Sequence, residues 1–145
     1  MLLILKALGI INSLKAETIQ ERKIPLFLML IIFYILGEFL YQIPDFVELG
    51  MLFYGTNLAL VIIYFLFFIN VKTSLHVLSI SSALSFILFF GNKHSINVLP
   101  IIMVLFLLTG ILASARLHLK AHTKLEVYLG FVLGVFCQFT IFFLL

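Results

Sequence analysis

The stretch PLFLMLIIFYILGEFLYQI, residues 25–43, carries a single formal charge, Glu38. As a helix rising about 1.5 Å per residue it reaches across most of a ~30 Å hydrocarbon core. In lipid each backbone polar group must be bonded within its own segment, so an apolar run of this length reads as a membrane-crossing helix. Four more such runs follow, at 46–69, 73–90, 96–115 and 125–145. The composition agrees with them: 64% of the 145 residues are hydrophobic, 10% are charged and seventeen are phenylalanine. One soluble core of this size has no room for so much apolar surface. The expectation is an all-α integral membrane bundle of five full transmembrane helices, a single domain over residues 1–145.

Residues 1–14 are also apolar, but as a helix they would cover only about two thirds of a bilayer. They are expected to form a short N-terminal helix or to lie in the interface, with Lys6, Gly9 and Ser13 on the wetter side. A signal peptide competes for the same segment, but no small-residue cleavage site appears before Lys15. Cys137 is the only cysteine and falls inside an apolar run, so neither a disulfide nor a cysteine-based metal site is open to the chain. The net charge of +3 comes with no separate basic tail, and no nucleic-acid partner is expected.

Five crossings bring residues 15–24, 70–72 and 116–124 to one membrane face. Lys15, Arg22, Lys23, Lys72, Arg116, Lys120 and Lys124 gather there, seven of the nine lysines and arginines. Glu38, Asp45 and Glu48 lie towards the other face, with Lys93 to offset them and His94 in a solvated turn. Glu38 is close enough to the far end of its helix to reach the interface or a neighbour. The tendency of cations to gather on the cytoplasmic side accounts for such a bias by itself. Residue type and spacing add more. With the last helix beginning near Arg116, residues His118, His122, Glu126, Gly130, Gly134 and Gln138 recur every four positions along one face. Gly130 and Gly134 form a G-x-x-x-G, which admits a close neighbour helix, so this stripe is expected to point into the bundle. In the run 73–90, Ser74, Ser81 and Ser85 share a face suited to tight packing, and Ser74 and His76 stand at the membrane edge beside Lys72.

Arginine and lysine side chains with histidines and one carboxylate suit a phosphate ester. Guanidinium groups bind phosphate oxygens through paired charge-assisted hydrogen bonds, and phosphoryl transfer needs mainly positioning and charge stabilisation. A histidine can act as nucleophile or general acid, and a carboxylate one turn away can fix its tautomer. The same residues resemble the type 2 phosphatidic acid phosphatase superfamily, which includes vanadium haloperoxidases and the glucose-6-phosphatase catalytic subunit. Its motifs are K-x6-R-P, P-S-G-H and S-R-x5-H-x3-D. Lys15 and Arg22 have the first spacing, with Lys23 in place of proline. Residues 73–76, TSLH, correspond to the second, and Arg116, His122 and Glu126 to the third, with glutamate for aspartate.

The resemblance implies a six-helix core whose first member is the short segment 1–14, and an enzyme that hydrolyses a lipid phosphate or prenyl diphosphate without a cofactor or metal. It makes His122 the nucleophile that becomes a phosphohistidine, Glu126 the partner of its other ring nitrogen, and His76 the general acid and base. Lys15, Arg22, Ser74 and Arg116 would hold the phosphoryl oxygens. It also implies a bacterial inner (cytoplasmic) membrane with the site on its periplasmic side, whereas the cation bias points to the cytoplasm. Partners would be the phosphorylated lipid and the surrounding membrane lipids. Two rival readings use the same residues. His118, His122 and Glu126 at successive fourth positions have zinc-ligand spacing, although Arg116, Lys120 and Lys124 would repel a cation. An inactive relative would keep the pocket to bind an anionic lipid headgroup or to serve as a membrane assembly partner.

Overall fold

The computed structural model describes residues 19–145, with side chains from Arg22 onward. The expectations for residues 1–14 and for Lys15 fall outside the described residues. Within them the chain forms five long α-helices and no strand: α1 (Ile19–Tyr41), α2 (Val47–Leu66), α3 (Leu75–His94), α4 (Leu99–His118) and α5 (Lys124–Leu144). All five are long and apolar enough to cross a membrane. Helix α1 begins upstream of the run 25–43 and carries Pro25 inside it. A proline lacks an N–H, so it removes one rung of the ladder without ending the helix this close to its start.

The connections are short because the helix ends are sharply terminated. Asn70, Ser95 and Lys120 adopt left-handed backbone angles, with φ of 59°, 54° and 50°. At each, two amides fold back onto the last turn. After α2, for example, Asn70 N–H donates to the Phe67 carbonyl at 3.3 Å and Val71 N–H to Leu66 at 3.0 Å. This pairing satisfies carbonyls that would otherwise be orphaned in or beside lipid.

Helix α1 packs on α2, α3 packs on α4 and α5, and α2 also packs on α5. Leu26, Ala59, Leu60, Ile63, Phe67, Leu78 and Cys137 form the buried cluster where α1, α2, α3 and α5 meet. Helices α3 and α5 approach closely at two glycines. A Cβ added to Gly130 would lie 2.6 Å from the Ser74 carbonyl oxygen, and one on Gly134 would lie 2.6 Å from that of Leu78. Ser81, Ser82 and Ser85 line the facing side of α3, and the Ser82 hydroxyl donates to the Gly134 carbonyl at 3.4 Å. The G-x-x-x-G faces inward, as its sequence implies. Gln138 continues its line, fully buried, with its amide against Gly55 and donating to the Leu52 carbonyl at 3.4 Å.

Outside this seam the surface is apolar. Phe39, Phe65, Leu107, Ile111 and Phe136 are all more than half exposed. In water that would be a very large exposed patch; on five spanning helices it is the face an integral membrane protein turns to lipid. Towards the far end, Glu38 accepts hydrogen bonds from Tyr54 and Gln42, and Glu48 pairs with Lys93 at 2.8 Å and lies 3.4 Å from His94. His94 also packs on the Phe90 ring, so it is less purely solvated than its polar turn suggests.

Candidate active site

Alternating helix direction brings the start of α1, α3 and α5 and the end of α4 to one end of the bundle. The local structure between α4 and α5 explains the Arg116–His122–Glu126 spacing. Helix α4 does not give way to a new helix at Arg116, as the four-residue periodicity implies; it runs to His118. Lys120 N–H then donates to the Leu117 carbonyl at 3.0 Å and Ala121 N–H to that of Arg116 at 3.1 Å. Thr123 caps α5, accepting from Glu126 N–H at 3.4 Å while the Glu126 carboxylate accepts from Thr123 N–H at 3.4 Å. This reciprocal capping box is encoded by Thr123-x-x-Glu126. The three motif residues therefore sit in the last turn of one helix, just before the next cap, and in the first turn beyond it.

His122 is the most enclosed ionisable group of this set, its side chain only 2% exposed. Its Nδ1 lies 2.7 Å from Glu126 Oε2. A carboxylate can only accept, so Nδ1 is the protonated nitrogen and Nε2 keeps its lone pair. Burial is the main influence on this imidazole and holds its pKa below the ordinary histidine value. Glu126 pulls the other way, and the charges of Arg22 and Arg116 lower it further. The ring is thereby kept neutral and nucleophilic near neutral pH.

Around it stand the groups an oxyanion needs. The Arg22 guanidinium interacts electrostatically with both Glu126 and Arg116, and His76 with Arg116, His122 and Arg22. Among the described residues, the two guanidiniums oppose the single Glu126 carboxylate in their effect on the His122 ring. Ser74 is the N-cap residue of α3, yet its side chain makes no capping bond. Its hydroxyl oxygen, the Thr73 hydroxyl and Arg116 Nε are all buried and have no hydrogen-bond partner among the described residues. Buried polar atoms are nearly always satisfied, and Asn57 Oδ1 and Gln138 Oε1 inside the bundle share this state. The N–H groups of Leu75, His76 and Val77 precede the first bond of α3, Leu78 N–H to the Ser74 carbonyl at 3.0 Å, and belong to the positive end of that helix.

The structure brings His122, Glu126, Arg22, Arg116, Ser74 and His76 to this end. His76 is exposed at the rim, in the first turn of α3. The Ser74 N–H donates to the Glu126 carbonyl at 3.1 Å, tying the start of α3 to the start of α5. Leu75, between Ser74 and His76, packs its side chain on the core cluster. His118 is corrected. It belongs to α4, is exposed, and shares no face with His122 because the Lys120 turn intervenes. Among the described residues no three His, Cys, Asp or Glu side chains gather as a metal ion requires. Sequence reasoning missed Thr73, one residue from Ser74, and the capping role of Thr123; the T-x-x-E pattern was the available signal for the latter. Neither a family model, nor a curated protein, nor a solved structure matches the chain.

Proposed function

We propose that the chain is a membrane phosphatase that hydrolyses a lipid phosphate or prenyl diphosphate through a phosphohistidine. The observation that carries this is the enclosed His122–Glu126 pair, 2.7 Å apart, within the fields of Arg22 and Arg116. Arg22, Arg116, Ser74 and the first N–H groups of α3 hold the phosphoryl oxygens. His122 Nε2 attacks phosphorus, and the bond from phosphorus to the lipid oxygen breaks. His76 gives its proton to the departing alkoxide or phosphate. It then takes a proton from water, which attacks the phosphohistidine and releases inorganic phosphate while His122 is regenerated. Glu126 stabilises the positive imidazole in between. In this reading the protein lies in a bacterial inner membrane with the site open to the periplasm.

The exposure of His76 favours a second reading, an inactive relative that binds an anionic headgroup, because an acid at the rim is not held against a leaving group. Phosphate release from long-chain lipid phosphates by the purified protein separates the two. The enzyme reading expects turnover that vanadate inhibits, a chelator leaves alone and His122→Ala abolishes. Saturable lipid binding with no release would establish the other.

A further inference from the structure

An apolar groove of 210 Å³ opens between α3, α4 and α5, lined in part by Val77, Thr109, Gly110, Ala113, Val127 and Phe131. Each of its walls belongs to a helix that also carries a residue of the candidate site. Thr109, Gly110 and Ala113 share a face of α4 whose next position is Arg116, about 4.5 Å further along the axis. Val77 follows His76 on α3, and Val127 follows Glu126 on α5. Among the described residues no charged side chain lines the groove, and the Thr109 hydroxyl donates to the Leu105 carbonyl at 2.7 Å.

Gly110 has no packing reason to be glycine. A Cβ there would meet no atom within 4 Å, whereas at Gly130 and Gly134 it would strike the α3 backbone. Apart from proline, glycine is the poorest residue for a helix interior. Here its effect is to leave the groove wide.

We propose that this groove holds the hydrocarbon chain attached to the bound phosphate, and that Gly110 sets the bulk of chain admitted. The proposal rests on the phosphate-site reading above and assigns its substrate class: amphiphiles whose chain lies against α4 while the headgroup meets Arg116. A cationic site one turn beyond an uncharged groove matches a ligand with an anionic head and an apolar tail, which neither a free phosphate nor a second protein helix supplies.

The test compares hexadecyl phosphate with ethyl phosphate as substrates of the purified full chain. Gly110→Phe is expected to lower kcat/KM for hexadecyl phosphate about tenfold or more, the scale on which apolar pockets discriminate, and to leave ethyl phosphate unchanged. Leu108→Phe, on the opposite exposed face of α4, should alter neither. A Gly110→Phe effect equal on both substrates, or absent on both, overturns the proposal and leaves the groove to ordinary membrane lipid. If Gly110→Phe does not fold, Gly110→Val is judged by the same ratio. If the wild-type protein hydrolyses neither compound, the phosphatase reading fails on its own. The groove is then decided by binding of hexadecylphosphonate, which Gly110→Phe must weaken about tenfold if the proposal holds and must leave unchanged if it does not.

Discussion

At the scale of single residues, His122 and Glu126 carry opposed influences. Burial and two arginines disfavour the imidazolium, while the carboxylate 2.7 Å away favours it. Burial dominates, so the folded pKa lies below the unfolded value of about 6.5. Two consequences have definite signs. The kcat/KM profile should rise with pH through a group titrating below the ordinary histidine range. Folding stability should be fully present above about pH 6.5 and decline as pH falls through the depressed folded value, because the unfolded chain then binds the proton more readily. Thermal unfolding of wild type against His122→Asn across that window checks the second; a parallel pH dependence for the two would contradict it. Glu126→Gln removes the acceptor that fixes the tautomer and the charge that stabilises the imidazolium. The expected loss in kcat/KM is about a hundredfold or more, measured with the folded variant. Glu126→Asp, whose shorter arm must reach the same ring, should lose less.

Among the elements, the α3–α5 seam and the α4 groove make glycine substitutions diverge. Gly130→Ala would drive a methyl to 2.6 Å from the Ser74 carbonyl oxygen and is expected to cost about 1–3 kcal/mol in overpacking. Gly110→Ala fills open space and improves helix propensity, so it should leave stability unchanged or raise it by up to about 1 kcal/mol. Melting temperatures in one detergent compare them directly. Thr123→Ala removes half the capping box and should cost about 1 kcal/mol. It should also lower activity, since the Thr123 hydroxyl holds the Glu126 backbone from which the carboxylate reaches His122. The inward stripe from His122 to Gln138 was legible because polar and small residues at helical spacing stand out among phenylalanines and leucines. The break after His118 was not, because its left-handed residue is Lys120, and a lysine gives no glycine-like signal of a helix end. The orphaned hydroxyls of Thr73 and Ser74 were beyond sequence reasoning, since a missing partner is a property of packing.

For the whole molecule, the five apolar runs were legible from length and hydropathy, which lipid reads directly; the helix bounds differ where caps rather than lipid set them. The arrangement puts Lys23, Lys72 and Lys120 at one end and Asp45 and Asn97 at the other. Single cysteines introduced at these positions in a Cys137→Ala background should divide into those two groups when treated with an impermeant thiol reagent. Labelling of Lys72 and Asp45 positions from one side would break the five-span topology. The central claim is that His122 becomes covalently phosphorylated during turnover. Its most direct test is an alkaline quench of the purified protein turning over a phosphorus-labelled lipid phosphate, followed by peptide mapping. The account predicts base-stable, acid-labile label on His122, absent from His122→Asn. Label on another residue, or turnover with none at residue 122, would contradict it.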